Sequence, residues 1–285
     1  MAVKKLHCGS FTLPLERTLV MGILNVTPDS FYDGGRCASA EDALSLARRM
    51  AEDGADIIDV GGESTRPGSE PVPPQEEVRR VVPLIEKLSA ELTIPLSVDS
   101  YKPEVVAKAI DAGVSMVNDV NGLRSPGMAE LVASSKLPVV VMHMQGNPKI
   151  MQEKPHYTDV VTEITAFFRE RIAYALDSGI AARQLILDPG VGFGKTLEHN
   201  LEILRNIREF KKLGFPVLIG ASRKSFLGAL LDLPPEERLD GSLASAVLAA
   251  SQKADIVRVH DVAETVKALK VADAIIRGRG AGRLR

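Results

Sequence analysis

The chain has 285 residues, 45% hydrophobic and 25% charged, with a formal net charge of −2 at pH 7. That length suits one α/β barrel of about 250 residues or two small domains, the near-neutral charge argues against a nucleic-acid partner, and no apolar run reaches the roughly 18 residues of a membrane helix. The opening MAVKKLHCGSF has no apolar core or small-residue cleavage site behind its lysines, so it does not read as a secretory signal and implies a cytoplasmic protein, in which Cys8 and Cys37 match no metal or redox spacing and need not pair.

In chain order, eight short runs bounded by turn residues read as strands: TLVMGILNV, ADIIDVGG, IPLSVDS, SMVNDV, LPVVVMHM, QLILDPG, FPVLIGAS and ADIVRVHD. Each is rich in Val, Ile and Leu with little polar alternation, which predicts burial on both faces and a parallel sheet. Stretches of period 3.6 lie between them, including ALSLARRMAEDG, KPEVVAKAIDAG, VVTEITAFFRERIAYALDSG and LEILRNIREFKKLG. Pro103 suits a first helical turn, and Gly54, Gly113, Gly179 and Gly214 stand where helices should end. Pro83, inside EEVRRVVPLIEKL, should kink or split its helix. The basic tail RGRGAGRLR reads as a frayed terminus. Eight βα units without a break in composition predict a single (β/α)8 barrel domain over residues 1–285, its core about 18–276, with a doubly wound open sheet as the alternative.

In such a barrel the chemistry collects at the C-terminal ends of the strands. Those ends carry Asn25; Glu63 with Thr65 and Arg66; Asp99; Asn118 with Asp119; His143; Asp188; Ser222 with Lys224; and Arg258 with His260. Any one of them reads as a helix cap or loop hydrogen bond, but a whole ring of buried polar groups needs a polar ligand to satisfy it. Asp99, Asn118 and Asp188 offer acceptors and an amide to a flat heterocycle with several N–H donors, and Lys224 complements them as a donor. Arg258 and His260, two apart at a helix start, suit an anion, most simply phosphate. Asn25 offers a neutral oxygen to Mg2+. His143, between Met142 and Met144, reads as a packed core histidine rather than a ligand.

The stretch DPGVGFGKT fails as a phosphate loop because Pro189 stands where the first glycine belongs, and as a dinucleotide fingerprint because Lys195 stands where the last one does. The long glycine- and proline-rich stretches NVTPDSFYDGG and GGESTRPGSEPVPP, after the first and second strands, have the composition of active-site lids.

NVTPDSFYDGG, GADIIDVGGESTRPG, SVDSYKPEVV, NDVNG, MHMQGNP, DPGVGFGKT, GASRKSFLG and RVHD, in this order, resemble the dihydropteroate synthase family of the bacterial folate pathway over about Thr18 to Ile276. The resemblance implies condensation of 7,8-dihydropterin-6-ylmethyl diphosphate with 4-aminobenzoate, with early breakage of the C–O bond to diphosphate. It implies a pterin pocket of Asp99, Asn118, Asp188 and Lys224 with Met142 and Gly220 against the ring. Arg258 would stack on the pterin and, with His260 and Asn25, help hold the diphosphate and its magnesium; Asp99 and Asp33 would stabilise the developing cation. The aminobenzoate site would use Thr65, Arg66, Pro67, Phe193 and Ser225. The resemblance also implies a homodimer and sulfonamide sensitivity. Tyr32 and Cys37 are small departures within the first loop. A methyltetrahydrofolate-type methyltransferase would lack SRKSFLG and STRPG, and an inactive pterin-binding paralogue would have lost Lys224, Arg258 or NVTPDSF; all are present.

Overall fold

The computed structural model describes residues 5–26, 40–64, 68–147 and 149–278. The elements run β1 (Lys5–Cys8), β2 (Phe11–Pro14), β3 (Leu19–Asn25), α1 (Ala40–Glu52), β4 (Ile57–Gly61), α2 (Pro74–Glu91), β5 (Leu96–Asp99), α3 (Pro103–Asp111), β6 (Met116–Asp119), α4 (Met128–Ser135), β7 (Val139–Met142), α5 (Val160–Asp177) and β8 (Leu185–Asp188). They continue through α6 (Leu197–Arg205), α7 (Ile207–Lys211), β9 (Leu218–Ile219), α8 (Ser225–Leu231), α9 (Leu239–Ser251), β10 (Ile256–Val259) and α10 (Val262–Arg277). The last eight strands form one parallel sheet in the order β8-β7-β6-β5-β4-β3-β10-β9. A parallel bridge between Leu187 and Val217 joins its two edges and closes the barrel. These are the eight predicted strands, and a barrel, not an open sheet, is what they build.

The period of two sorts every strand's residues. Along β3, Val20 and Leu24 pack outward among the helices, whereas Leu19 and Met21 join an inner layer with Ile57, Met116, Val140, Ile186, Leu218 and Ile256. That layer, drawn from the N-terminal halves of the strands, is the packed floor of the barrel. Beneath it lies an antiparallel hairpin of β1 and β2, which the strand pattern did not predict. Its Leu6 and Cys8 are fully buried and join the inner layer, so the hairpin stoppers the N-terminal end. Burial pushes the Cys8 thiol up to about 12, which leaves it a small apolar group at neutral pH.

The outer shell is equally apolar. Phe168 on α5 is fully buried and meets Phe210 on α7 edge-on at 5.8 Å between ring centroids, a burial worth roughly 2–3 kcal/mol for such a ring. Gly54, Gly113, Gly179 and Gly214 follow α1, α3, α5 and α7 with φ of 98, 109, 89 and 89°, as expected of left-handed helix ends. Pro103 opens α3 as predicted. Pro83 does not split its helix: α2 runs unbroken over 18 residues, and Pro83 sits on its exposed face, where the carbonyl left without a donor can turn to water. Among the described residues no helix is long and apolar enough to cross a membrane.

Candidate active site

At the C-terminal end of the barrel the same period of two turns one residue per strand inward and opens a cavity of about 550 Å³. Asn25, Asp99, Asn118, Met142, Asp188, Phe193, Gly220, Lys224, Ser225, Arg258 and His260 all line it. The structure therefore brings together the described residues of the expected pterin, aminobenzoate and magnesium sites. Asp33, Thr65, Arg66 and Pro67, like Tyr32 and Cys37, lie outside the described residues.

Asp59 lies behind the cavity wall, holding two residues that line it, and sequence reasoning missed it. Fully buried, it accepts from Asn118 Nδ2 at 2.8 Å and from Arg258 Nε at 2.6 Å through Oδ2. Arg258 reaches on to donate from Nη2 to Asp99 Oδ2 at 2.7 Å. Burial alone would lower the guanidinium's pKa, but the charges of Asp59 and Asp99 more than offset it and hold the group above its ordinary value. Asp99 is pushed up to about 7, chiefly by burial, with Arg258 pulling down and Asp59 pushing up. Its Oδ1 is buried without a hydrogen-bond partner. An orphaned carboxylate oxygen in a cavity wall asks for a donor from a ligand.

Asp188 is raised to about 6 by burial, with the Gly190 N–H donating to its Oδ1 at 2.7 Å and pulling it back. After Asp188 the chain turns through Gly190, Gly192 and Gly194 at φ of 68, 83 and 62°. Besides these left-handed dihedrals the turn has no room for side chains: a Cβ on Gly190 would strike the His143 carbonyl oxygen, and one on Gly194 that of Gln145. The turn presents Phe193 to the cavity, with Lys224 Nζ 4.0 Å from its ring centroid.

Lys224 is aimed by its neighbour. Arg223 holds φ of 56°, unfavourable for a side chain. Its guanidinium grips Asp261 with two hydrogen bonds, at 2.9 and 2.6 Å, and donates to the carbonyls of Pro235 and Glu236; its own N–H donates to Ser242 Oγ. These contacts over-determine the turn, so that Ser222 and Lys224 on either side both line the cavity. His260 Nδ1 lies 3.0 Å from Ser222 Oγ. Burial, then the nearby Arg258 charge, pulls His260 down to about 3. At neutral pH it is therefore a neutral imidazole with one N–H.

Three members of the expected ring serve elsewhere. Asp119 follows inward-facing Asn118 and so faces away; it accepts from the backbone N–H of Asn121 and Leu123. His143 likewise follows Met142: it packs edge-on to Phe167, contacts Lys195 Nζ at 3.1 Å and is pulled down to about 2 by burial. It is the packed core histidine that the sequence suggests. Glu63 borders the cavity, but its oxygens accept from Tyr101 OH, the Val72 N–H and Lys102 Nζ, while Lys102 also pairs with Glu77 at 2.6 Å. This buried network anchors the root of the second loop.

No group of three or more His, Cys, Asp or Glu side chains among the described residues is arranged to hold a metal by itself. Asn25 Oδ1 and Asp99 Oδ2 nonetheless flank one point above Gly61, at 3.5 and 3.7 Å from a Cβ built there. One neutral oxygen beside a carboxylate fits an ion that takes its remaining ligands from phosphate and water.

Residues 21–260 match the family model described as pterin binding enzyme. The chain is 50% identical over 275 residues to dihydropteroate synthase of Escherichia coli K12, covering 96% of this chain and 98% of that protein. Among solved structures it is similar to Yersinia pestis dihydropteroate synthase in a sulfonamide complex, with TM-score 0.92 and 49% identity over 95% of this chain and 98% of that one. It is similar also to Xanthomonas albilineans dihydropteroate synthase with 4-aminobenzoic acid, with TM-score 0.91 and 49% identity over 96% and 98% of the two chains.

Proposed function

The chain belongs to the pterin binding enzyme family, and on that footing we propose that it is a dihydropteroate synthase. It joins 7,8-dihydropterin-6-ylmethyl diphosphate to 4-aminobenzoate: the methylene C–O bond to diphosphate breaks, a C–N bond to the arylamine forms, and diphosphate and the amine's proton depart. The observation that carries the reading is the buried acceptor set of Asp99, Asn118 and Asp188, with Asp99 Oδ1 unpartnered.

In this reading Asp99 and Asp188 accept the pterin's N–H groups, Asn118 takes its edge, Lys224 donates to it, and Met142 and the bare face of Gly220 pack against the ring. The bond to diphosphate breaks early, and Asp99, with Asp33 of the first loop, stabilises the cation left behind. The family's mechanism asks Arg258 to stack on the pterin, and its hold on Asp59 and Asp99 sets the guanidinium at the pocket floor for that contact. Arg258 and neutral His260 steady the departing anion. Asn25, together with the substrate's diphosphate, would hold Mg2+, which would supply the charge neutralisation that makes diphosphate a good leaving group. The arylamine lies against Phe193 with its carboxylate towards Ser225, Thr65, Arg66 and Pro67 serve the same site, and sulfonamides compete with it there. The protein works in the cytoplasm as a homodimer, its interface built on the exposed Val271 and Ile275 of α10 beside Leu248 of α9.

The test is incubation with pterin diphosphate, 4-aminobenzoate and Mg2+, following both products. Diphosphate and dihydropteroate should form in equal amounts, and less of both after chelation with EDTA. A folded protein that gives no aminobenzoate-dependent product would overturn the reading.

A further inference from the structure

The segment after β7, described over residues 143–147 and 149–158, contributes Met151, which packs in one cluster with Met142, to the cavity wall, but the proposed reaction uses nothing else from it. Two of its polar side chains reach the turn that carries Phe193. Three successive carbonyls of that turn each accept from a side chain: Gly192 from Gln152 Nε2 at 2.6 Å, Phe193 from Lys195 Nζ at 2.8 Å, and Gly194 from Tyr157 OH at 2.9 Å. Two of these donors come from the segment after β7. Met151, next to Gln152 in the chain, packs in one cluster with Phe193, Met142 and Met144. On its other side the segment reaches the second loop, where Lys149 Nζ meets Glu70 Oε1 at 2.9 Å. It closes on itself through Gln145, whose amide donates to the His156 carbonyl at 2.9 Å and accepts the His156 N–H at 3.0 Å.

A glycine turn has little intrinsic preference for one conformation. What fixes the Phe193 ring is therefore whatever fixes the carbonyls on either side of it. From this geometry we propose that Gln152 and Tyr157 are positioning residues for the aminobenzoate site, setting the aromatic wall formed by Phe193. The proposal rests on the function proposed above. It separates the two substrates: the pterin contacts on β5, β6 and β8 belong to rigid strand ends, whereas the carbonyls on either side of Phe193 accept from a neighbouring loop, with Lys195 of the turn and Asn200 of α6 completing its support.

Gln152→Met keeps the length of the side chain and removes the donor; Tyr157→Phe keeps the ring and removes the hydroxyl. Steady-state kinetics should show the KM for 4-aminobenzoate rising about fivefold in each, the effect of one lost hydrogen bond, and further in the double variant. The KM for pterin diphosphate should stay within about twofold of the original. Loop packing without a positioning role would instead lower Tm and move neither KM selectively. Tyr157 is buried, so if its variant fails to fold, half-buried Gln152 decides the matter alone. Wild-type protein that makes no dihydropteroate would overturn the function itself. Wild-type turnover with an unchanged aminobenzoate KM in Gln152→Met would leave the function standing and sink the positioning role.

Discussion

Arg258 on β10 donates to Asp99 on β5 across the mouth of the barrel at 2.7 Å, 159 residues apart in sequence. That reach is possible because Asp59, with no exposed surface, holds the other side of the same guanidinium. Asp59 has no place of its own at the cavity wall, so Asp59→Asn tests the support rather than the chemistry. Removing one partner of a buried charge cluster should cost about 3 kcal/mol in urea denaturation, and turnover should fall because Arg258 loses its anchor. A variant as stable and as active as the parent would show that Arg258 needs no support from beneath.

The raised carboxyls set a pH dependence. Asp99 titrates at about 7 in the free protein and Asp188 at about 6. Below these values each is protonated and loses its negative charge, so kcat/KM for pterin diphosphate should fall about tenfold per pH unit below 7, more steeply below 6, and level off above 7. Asp99→Asn should lower the plateau and leave only the limb near 6. A flat profile from pH 5 to 8 would exclude ionised Asp99 from the rate.

Two glycines with similar backbone angles should respond very differently to alanine. Gly68 has φ of 80° and nothing within 4 Å of a built Cβ, whereas Gly190, at φ of 68°, has the His143 carbonyl in the way. Gly68→Ala should cost only the left-handed strain, about 1 kcal/mol. Gly190→Ala adds a backbone collision and should unfold the turn after β8 or force β7 and β8 apart, read as a Tm lower by many degrees.

Arg223 pays its unfavourable φ with its side-chain contacts, and a pair of substitutions separates the two. Arg223→Ala loses the ion pair to Asp261 and keeps the strain; Arg223→Gly loses the same pair and relieves the strain. Chemical denaturation should therefore find the glycine variant more stable than the alanine variant by about 1 kcal/mol. Both should lose turnover, because Lys224 is no longer aimed.

Val271 and Ile275 are 62% and 78% exposed, one helical turn apart on α10. If they form the dimer contact, Val271→Glu with Ile275→Glu should halve the mass measured by sedimentation while leaving the far-ultraviolet circular dichroism unchanged. An unaltered mass would move the interface elsewhere.

The barrel and much of its mouth were readable in the sequence because the period of two, the glycine helix ends and the apolar strand runs are local signals. The same period, carried through each strand, also separates Asn118 from Asp119 and Met142 from His143, and would have picked out Asp59 two residues before Gly61. Reading strand ends as clusters rather than alternations hid that distinction. The β1–β2 hairpin was less legible: its strands are four residues each, and their apolar residues are buried only because a barrel floor exists to receive them. The pairing of Lys195 with His143 could not be found at all, since it depends on how two loops meet.

With Leu6 and Cys8 sealed beneath the inner layer, the barrel is a blind well. Whatever enters by the mouth leaves by the mouth, and depth becomes sequence in time. Asp99, Asn118 and Asp188 line the cavity from the strand ends, whereas Phe193 and Ser225 line it from segments that follow the strands, so a molecule seated against the second pair would bar the way to the first. On the function proposed above, the lower berth, at the strand ends, would have to fill first, and anything lodged against Phe193 would hold back both the next substrate and the last product.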